Sequence, residues 1–486
     1  MTNIQKNSIL LTIIIISFAM HFQHFSKDLV SIHVWRQTQT QSTINNFYEE
    51  DMNILNPRRN ERGNGEGIFR MEFPLMQWIV ASAYKVFGKH LIISRGFMFL
   101  IGIFSVLGIY TLVYSLFTNR IAAVFAAWAF NFSPSFYYYT INPLPDNLAL
   151  CFSIWGMAFF FIWYKQKKAA QLILSGLFLS LGALCKLPFI IYFIIPIVYF
   201  ARIIAKNNID RSTLIQVLQV FVFSVFPIAW YLYVIPDWHG NVIVSGMLGD
   251  KESISLMLYY LQHNLISTLP ELLLNYGSVL FFIAGFYFLF KRKAFKDPRF
   301  ILILSLCILA SVYYLFEANA IAKIHDYYLF PFYPLLFILV GYGAYNLFYS
   351  PSKFFKYFTL FLLLILPLTC YLRMQDRWDV VSPGFNSDLL VHKNSLQNAV
   401  PKEDLVVVGN DDSHFIFLYY IDKKGWGFDS NELSPEELNT MIEKGAKYLY
   451  SDSRTIDTNK EFIPFLDQLI LEKGSIKIYR LKTNSL

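Results

Sequence analysis

Val279-Leu280-Phe281-Phe282-Ile283-Ala284-Gly285-Phe286-Tyr287-Phe288-Leu289-Phe290 runs into Lys291-Arg292-Lys293-Ala294-Phe295-Lys296-Asp297-Pro298-Arg299, and the chain from Phe300 to Phe316 is apolar again. Apolar runs of roughly 18 to 25 residues are long enough to cross about 30 Å of hydrocarbon. Between these two runs stand five cations and one acid, Asp297. A short loop so rich in Lys and Arg marks the cytoplasmic side of a membrane. The stretch therefore reads as two transmembrane helices joined inside the cell.

The same pattern extends along the chain. Of its 486 residues 55% are hydrophobic, 18% aromatic and 15% charged, whereas soluble domains carry about 25% charged residues. Eleven spans are expected, near 9–25, 90–117, 121–141, 147–164, 169–185, 187–204, 213–235, 272–290, 300–316, 327–349 and 355–371. With the N-terminus in the cytoplasm, the inward loops collect Arg120; Lys165, Lys167 and Lys168; Arg202, Lys206 and Arg211; Lys291 to Arg299; and Lys353 and Lys356. The first span is read as an uncleaved anchor, because the spans behind it behave as one domain. Glu72 to Gly88 is apolar on one side and short, which suits a helix lying along the outer surface. The expected fold is thus a polytopic α-helical membrane protein of about 11 transmembrane helices, with a small extracytoplasmic α/β domain at its C-terminus.

The net charge of +7 does not indicate nucleic acid, because the cations sit mostly in short loops between spans. Cys151, Cys185, Cys307 and Cys370 lie within or at the ends of apolar runs, with no CxxC or Cys/His cluster. Neither a thiolate metal site nor a disulfide framework is expected. Two domains follow: residues 1–371, a membrane domain that includes an outer loop 26–89 with surface helices, and residues 372–486, a soluble module. In the module Leu405 to Gly409, Lys447 to Tyr450 and Ile476 to Leu481 read as strands. Ser434-Pro435-Glu436-Glu437 reads as a helix start, and Asp412 as the cap of a helix reaching Tyr420. Trp426, in Lys424-Gly425-Trp426-Gly427, reads as a hairpin or loop residue.

This topology gathers the polar groups on one face. Just behind the first span comes Ile32-His33-Val34-Trp35-Arg36-Gln37-Thr38-Gln39-Thr40-Gln41, a concentration of hydrogen-bonding groups that a lipid-facing helix could not carry. The remaining outer turns add Asn56-Pro57-Arg58-Arg59, Glu72-Phe73-Pro74-Leu75, Asn142 to Asn147 with Asp146, Cys185-Lys186-Leu187-Pro188, and the turn from Glu317 to His325-Asp326-Tyr327-Tyr328. Polar groups at a bilayer are costly and usually functional. Such a set could bind a phosphate and move a proton. Plainer readings exist: Trp35 as an interfacial anchor, Lys186 as a snorkelling cation, Asp146 as a helix cap, Tyr328 as an interfacial ring, and Arg58, Arg59 and Arg62 as a solvated face.

In their order and common sidedness, these motifs resemble the polyprenyl-phosphate-sugar-dependent glycosyltransferases of fold class C, in particular the bacterial protein O-mannosyltransferase and lipid A aminoarabinose transferase group. The resemblance covers residue 1 to about 371. It rests on the long first outer loop, Glu72-Phe73-Pro74-Leu75 opening a surface helix, Asp146 at a helix start, Lys186 between two spans and His325-Asp326-Tyr327-Tyr328. It implies an integral membrane enzyme that moves a sugar from a polyprenyl-phosphate donor to an acceptor hydroxyl at the outer face of the bacterial inner membrane, with inversion. The acceptor would be a lipid, a glycan or a protein. The chemistry needs cations and donors for the phosphate, for which Arg36, Lys186, His325, Tyr327 and Tyr328 are the candidates. It also needs a base, with Glu72, Asp146 and His33 as candidates in that order. Gln37, Arg58 and Asp326 are candidates for substrate contacts. In that group an Asp-Glu pair follows the first span, but here Ile32-His33-Val34-Trp35-Arg36 has no carboxylate. No metal site is expected from ligand spacing, although a lone carboxylate together with the donor phosphate could hold a divalent ion. The rival reading is a transporter or flippase for a glycolipid, which would place its ionisable groups nearer the middle of the membrane.

Overall fold

The computed structural model describes residues 1–206, 210–238, 246, 253–429, 433–452 and 454–482. Chain contacts divide it into two compact units. The first comprises Met1–Ser26, Met71–Met76 and Ser94–Gln375, and the second Lys27–Arg70, Gln77–Ile93 and Asp376–Leu486. The soluble module was expected to begin at 372, and the outer loop 26–89 was expected with the membrane domain. Most of that loop instead groups with the C-terminal residues.

Eight helices among the described residues are long and apolar enough to cross a membrane: Asn3–His24, Leu91–Phe117, Pro145–Gln166, Leu187–Ile204, Arg211–Asp237, Pro298–Phe316, Asp326–Phe348 and Lys353–Trp378. A ninth crossing would be the pair Ile254–Leu273 and Gly277–Lys291, which bends by 110°. Arg120–Asn131 and Ala169–Cys185 are apolar but shorter.

Two of the expected runs are not straight helices, for local reasons. The run 121–141 stops at Phe132 because Pro134 opens a new six-residue helix, Pro134–Tyr139. The run 272–290 begins inside the bend, where Asn275 and Tyr276 have φ of 49° and 44°. Breaking a helix leaves carbonyls without partners. The buried Asn275 amide supplies one, donating to Phe132 O at 3.0 Å and Leu366 O at 2.9 Å. Near these breaks Gly277–Lys291 packs backbone to backbone on Tyr333–Phe348. A Cβ on Gly343 would come within 1.8 Å of Phe281 O, and one on Gly285 within 2.3 Å of Leu339 O. Small residues allow this approach where no hydrophobic force drives helices together in lipid.

In the second unit the sheet comprises β1 (Leu405–Gly409), β2 (Gly425–Phe428), β3 (Ala446–Ser451), β4 (Leu466–Lys473) and β5 (Ile476–Leu481), in the order β2-β1-β3-β5-β4. β1 pairs in parallel with β2 and β3, while β5 is antiparallel to both β3 and β4. Trp426 therefore lies in an edge strand rather than a hairpin. The first loop covers that edge: Arg62 N donates to Gly425 O at 2.8 Å, Gly425 N to Asn60 O at 3.1 Å and Trp426 Nε1 to Gly63 O at 2.8 Å. Leu29 and Val34 share one apolar cluster with Val406, Val408, Tyr420 and Ile476. These contacts are why the loop belongs to this unit.

Ser434 and Glu437 form a capping box on the helix Pro435–Glu443. The helix Ile416–Tyr420 is held differently from expectation. Ser413 Oγ accepts from Phe415 N and Ile416 N, and Asp411 accepts from Phe417 N, so Asp412 is not the cap.

Candidate active site

In the first unit the expected residues meet where several helices end. Lys186 closes the helix Ala169–Cys185, whose continuation is interrupted by Leu187-Pro188. Its ammonium stands 3.7 Å from Asp146 Oδ1 and 5.5 Å from the centre of the Tyr328 ring. Lys186 is 5% and Asp146 2% exposed. The helix bearing Asp146 begins at Pro145 with Leu144 in the cap position, so Asp146 is inside the first turn and is not the N-cap. There its negative charge also faces the positive end of the helix dipole.

Glu72 approaches the same centre on a pinned strap. Phe73 N donates to Leu184 O at 3.1 Å, and Trp230 Nε1 donates to Met71 O at 3.0 Å. The Phe73 ring stands edge-on to Trp230, with centres 5.0 Å apart. Glu72 is itself buried and directly precedes Phe73, the residue bonded to the Lys186 helix.

The segment His325 to Tyr328 forms the opposite wall. Tyr327 and Tyr328 stack at 4.8 Å, and the His325 ring meets both edge-on. His325 Nδ1 lies 2.7 Å from Ala320 O. Because a carbonyl can only accept, that nitrogen carries the proton. Burial holds the imidazole below its usual pKa, so the neutral form offers Nε2 as an acceptor. Asp326 is turned inward, accepting from Tyr139 Oη at 2.7 Å and Ser135 Oγ at 3.0 Å.

Two groups without an expected role belong here. Arg95, the one charged residue of its span, is fully buried and donates to Asn142 Oδ1 at 2.7 Å and Ile141 O at 3.3 Å. Asn147 in turn donates to Tyr139 O at 2.6 Å, so the turn that starts the Asp146 helix is bound on both sides. A lone arginine in an apolar run is a signal that sequence reading could have used. The second is Glu317, at the end of Pro298–Phe316. It is 4% exposed, and burial raises its carboxyl to about 7 against the pull of Lys186. Nearby, an apolar groove of about 460 Å³ runs between the bent pair and the helices Pro298–Phe316 and Asp326–Phe348, lined by Leu265, Leu269, Phe282, Phe286, Leu315 and Phe332 among others.

In the second unit His33, Arg36 and Gln37 open the helix Val34–Glu49, and all three are buried. His33 has a left-handed backbone, φ 54°, that turns the chain into the helix. Arg36 bonds Gln39 one turn along, and Gln37 donates to Ile32 O at 2.9 Å. His33 and Trp35 border a cavity of about 800 Å³ whose other walls include Phe415, Asn386, Asp411 and Asp452. Arg58 sits beyond the other end of the same helix, 2.8 Å from Glu66 and 3.7 Å from both Glu50 and Asp51. Among the described residues no group of three or more His, Cys, Asp or Glu is placed to hold a metal ion.

Residues 72–231 match the family described as dolichyl-phosphate-mannose-protein mannosyltransferase. The chain is similar in structure to ArnT from Cupriavidus metallidurans. The apo state aligns with a TM-score of 0.66 at 13% identity, covering 98% of this chain and 97% of that one. The same protein bound to undecaprenyl phosphate aligns with a TM-score of 0.59, again at 13% identity and with the same coverage. The archaeal oligosaccharyltransferase AglB from Archaeoglobus fulgidus, in complex with an inhibitory peptide and a dolichol-phosphate, aligns with a TM-score of 0.57 at 14% identity, covering 92% of this chain and 69% of that one. No curated protein matches the chain in sequence. The family model matches part of the chain, and the structural matches show a shared fold. At these identities the structural likeness speaks for the fold, and the residues of the site have to speak for the chemistry.

Proposed function

We propose that this protein transfers a sugar from a polyprenyl-phosphate donor to an acceptor hydroxyl, inverting the anomeric centre, at the periplasmic face of the bacterial inner membrane. The observation that carries this reading is Lys186, a buried ammonium beside Asp146 and over the Tyr328 ring at the end of its helix. A phosphate entering there would meet a cation in a site of low dielectric, where charge attraction is strongest. The departing polyprenyl phosphate leaves as a stabilised anion, so Lys186 helps most as the bond to the sugar breaks. The apolar groove suits the prenyl chain. Tyr328 and His325 flank the phosphate position, while the stacked Tyr327 and the doubly bonded Asp326 brace that wall. Within the second unit, the cavity bordered by His33 and Trp35 joins aromatic walls to Asn and Asp edges of the kind that suit a saccharide. Glu72 and Asp146 are the carboxylates of the phosphate centre.

A transporter or flippase fits less well, because the ionisable groups cluster where helices end and not on mid-span breaks. Purified protein in nanodiscs, given radiolabelled polyprenyl-phosphate hexoses and pentoses, is expected to release polyprenyl phosphate. Binding of those donors without release from any of them, even with membrane extract supplied as acceptor, would favour the transporter.

A further inference from the structure

We infer that Glu317 is the general base of the transfer, taking the proton of the attacking hydroxyl; this assignment rests on the transferase reading above. The proton of the attacking hydroxyl needs an acceptor within reach of this centre. Two other carboxylates of this unit are already engaged. Asp326 already accepts a hydrogen bond on each oxygen, from Ser135 and from Tyr139. Asp146 is ion-paired with Lys186.

Glu317 differs from Asp146 in having no ion pair among the described residues, and from Asp326 in its hydrogen bonding. Its Oε2 is buried and has no hydrogen-bond partner among the described residues. A purely structural carboxylate would be expected to have that oxygen filled. Its position is set by the backbone: Glu317 N donates to Tyr313 O at 2.9 Å, and Ile321 N donates to Glu317 O at 2.8 Å. One turn earlier the Tyr313 hydroxyl donates to Tyr328 O at 3.0 Å, which ties the end of this helix to the wall under Lys186. The titratable groups around Glu317 are therefore Lys186, Tyr313, Tyr328, His325 and, across Lys186, Asp146. Burial pushes the carboxyl up to about 7 while Lys186 pulls it down. A base is most effective when its proton affinity lies close to the working pH.

The step balances without a co-reactant. The acceptor oxygen forms a bond to the anomeric carbon as the bond from that carbon to the phosphate oxygen breaks. The electron pair leaves with polyprenyl phosphate beside Lys186, and the hydroxyl proton passes to Glu317.

The test compares wild type, Glu317→Gln, Glu317→Asp and Glu72→Gln in nanodiscs. The donors are the labelled polyprenyl-phosphate sugars, and water and methyl glycosides serve as surrogate acceptors. Glu317→Gln is expected to bind polyprenyl phosphate like wild type and to lose about 10² to 10⁴ in turnover, the range for a general base. Wild-type turnover should rise through pH 7 as Glu317 ionises; the Gln variant should lose that rise and Glu317→Asp should regain part of it. Infrared difference titration should show a carboxyl losing its proton near neutrality, with the signal absent from Glu317→Gln. Release by wild type that Glu317→Gln retains with an unchanged pH profile overturns the assignment alone. The same holds if the loss and the pH change fall on Glu72→Gln. No release from wild type with any donor or acceptor overturns the transferase reading and this assignment with it, while the infrared titration still reports whether the carboxyl is poised.

Discussion

Lys186 in the first unit and Arg58 in the second are both cations of the outer polar set, yet their surroundings differ in kind. Lys186 is buried beside Asp146 at 3.7 Å, with an aromatic face 5.5 Å away. Arg58 is held by Glu66, Glu50 and Asp51, with Glu66 itself 74% exposed. In water a surface ion pair contributes little, typically about 0–1 kcal/mol. Inside low-dielectric surroundings a charge keeps a long reach. A phosphate would gain much from Lys186 and little from a guanidinium already surrounded by acids. Burial and the number of opposing charges, more than the sign of the residue, separate a binding cation from a bracing one.

The largest effect expected from this contrast is on turnover. Lys186→Ala should lower donor-dependent release of polyprenyl phosphate by about 10² to 10³, comparable with losing a main electrostatic stabiliser of a leaving anion. Lys186→Arg should keep part of it. A release assay on both, with thermal unfolding as a folding control, would break the comparison if Lys186→Ala turned over like wild type.

Next in size is Arg95, which holds the turn before Asp146 and touches no expected substrate atom. Arg95→Gln removes charged hydrogen bonds to Asn142 and Ile141 and should cost about 1–3 kcal/mol of stability. Denaturation in detergent would measure that loss. A retained Kd for polyprenyl phosphate would show that Arg95 positions the turn without binding the donor.

The smallest effect belongs to Arg58. Arg58→Ala should lower the stability of its loop by up to about 1 kcal/mol and leave turnover within about twofold of wild type. Hydrogen exchange across residues 57–69 would read the first and the release assay the second. A loss of turnover equal to that of Lys186→Ala would erase the distinction drawn above.

Much of the first unit was legible in the chain. Hydrophobic length and Lys/Arg loops are local properties, and they located the eight helices among the described residues that are long and apolar enough to cross a membrane. Lys186 stood out because it is a lone cation between two apolar runs. The breaks at Phe132 and Asn275 were not, because the Asn275 amide that satisfies them bonds residues about 90 and 143 positions away. Strand β2 was missed for a related reason. Gly425-Trp426-Gly427 has no alternation to read, and its pairing with Val406 to Gly409 is parallel and therefore non-local. The helix cap moved from Asp412 to Asp411 and Ser413 because the turn geometry decides which side chain points back at the free amides.

Glu317 shows the same division within the site. The chain placed it in an outer turn among several polar residues, with nothing to set it apart. Its burial, its unfilled oxygen and its proximity to Lys186 come from helices distant in sequence.

By itself, then, the sequence determined a membrane protein with polar turns between its apolar runs and a small α/β domain at its end, because hydrophobic periodicity, loop charge and capping signals act over a few residues. The tertiary structure alone decided which polar residues are paired, which are buried and which carboxylate keeps capacity for a proton. Those properties depend on dielectric and on partners, and both are set by packing between segments that the chain order keeps apart.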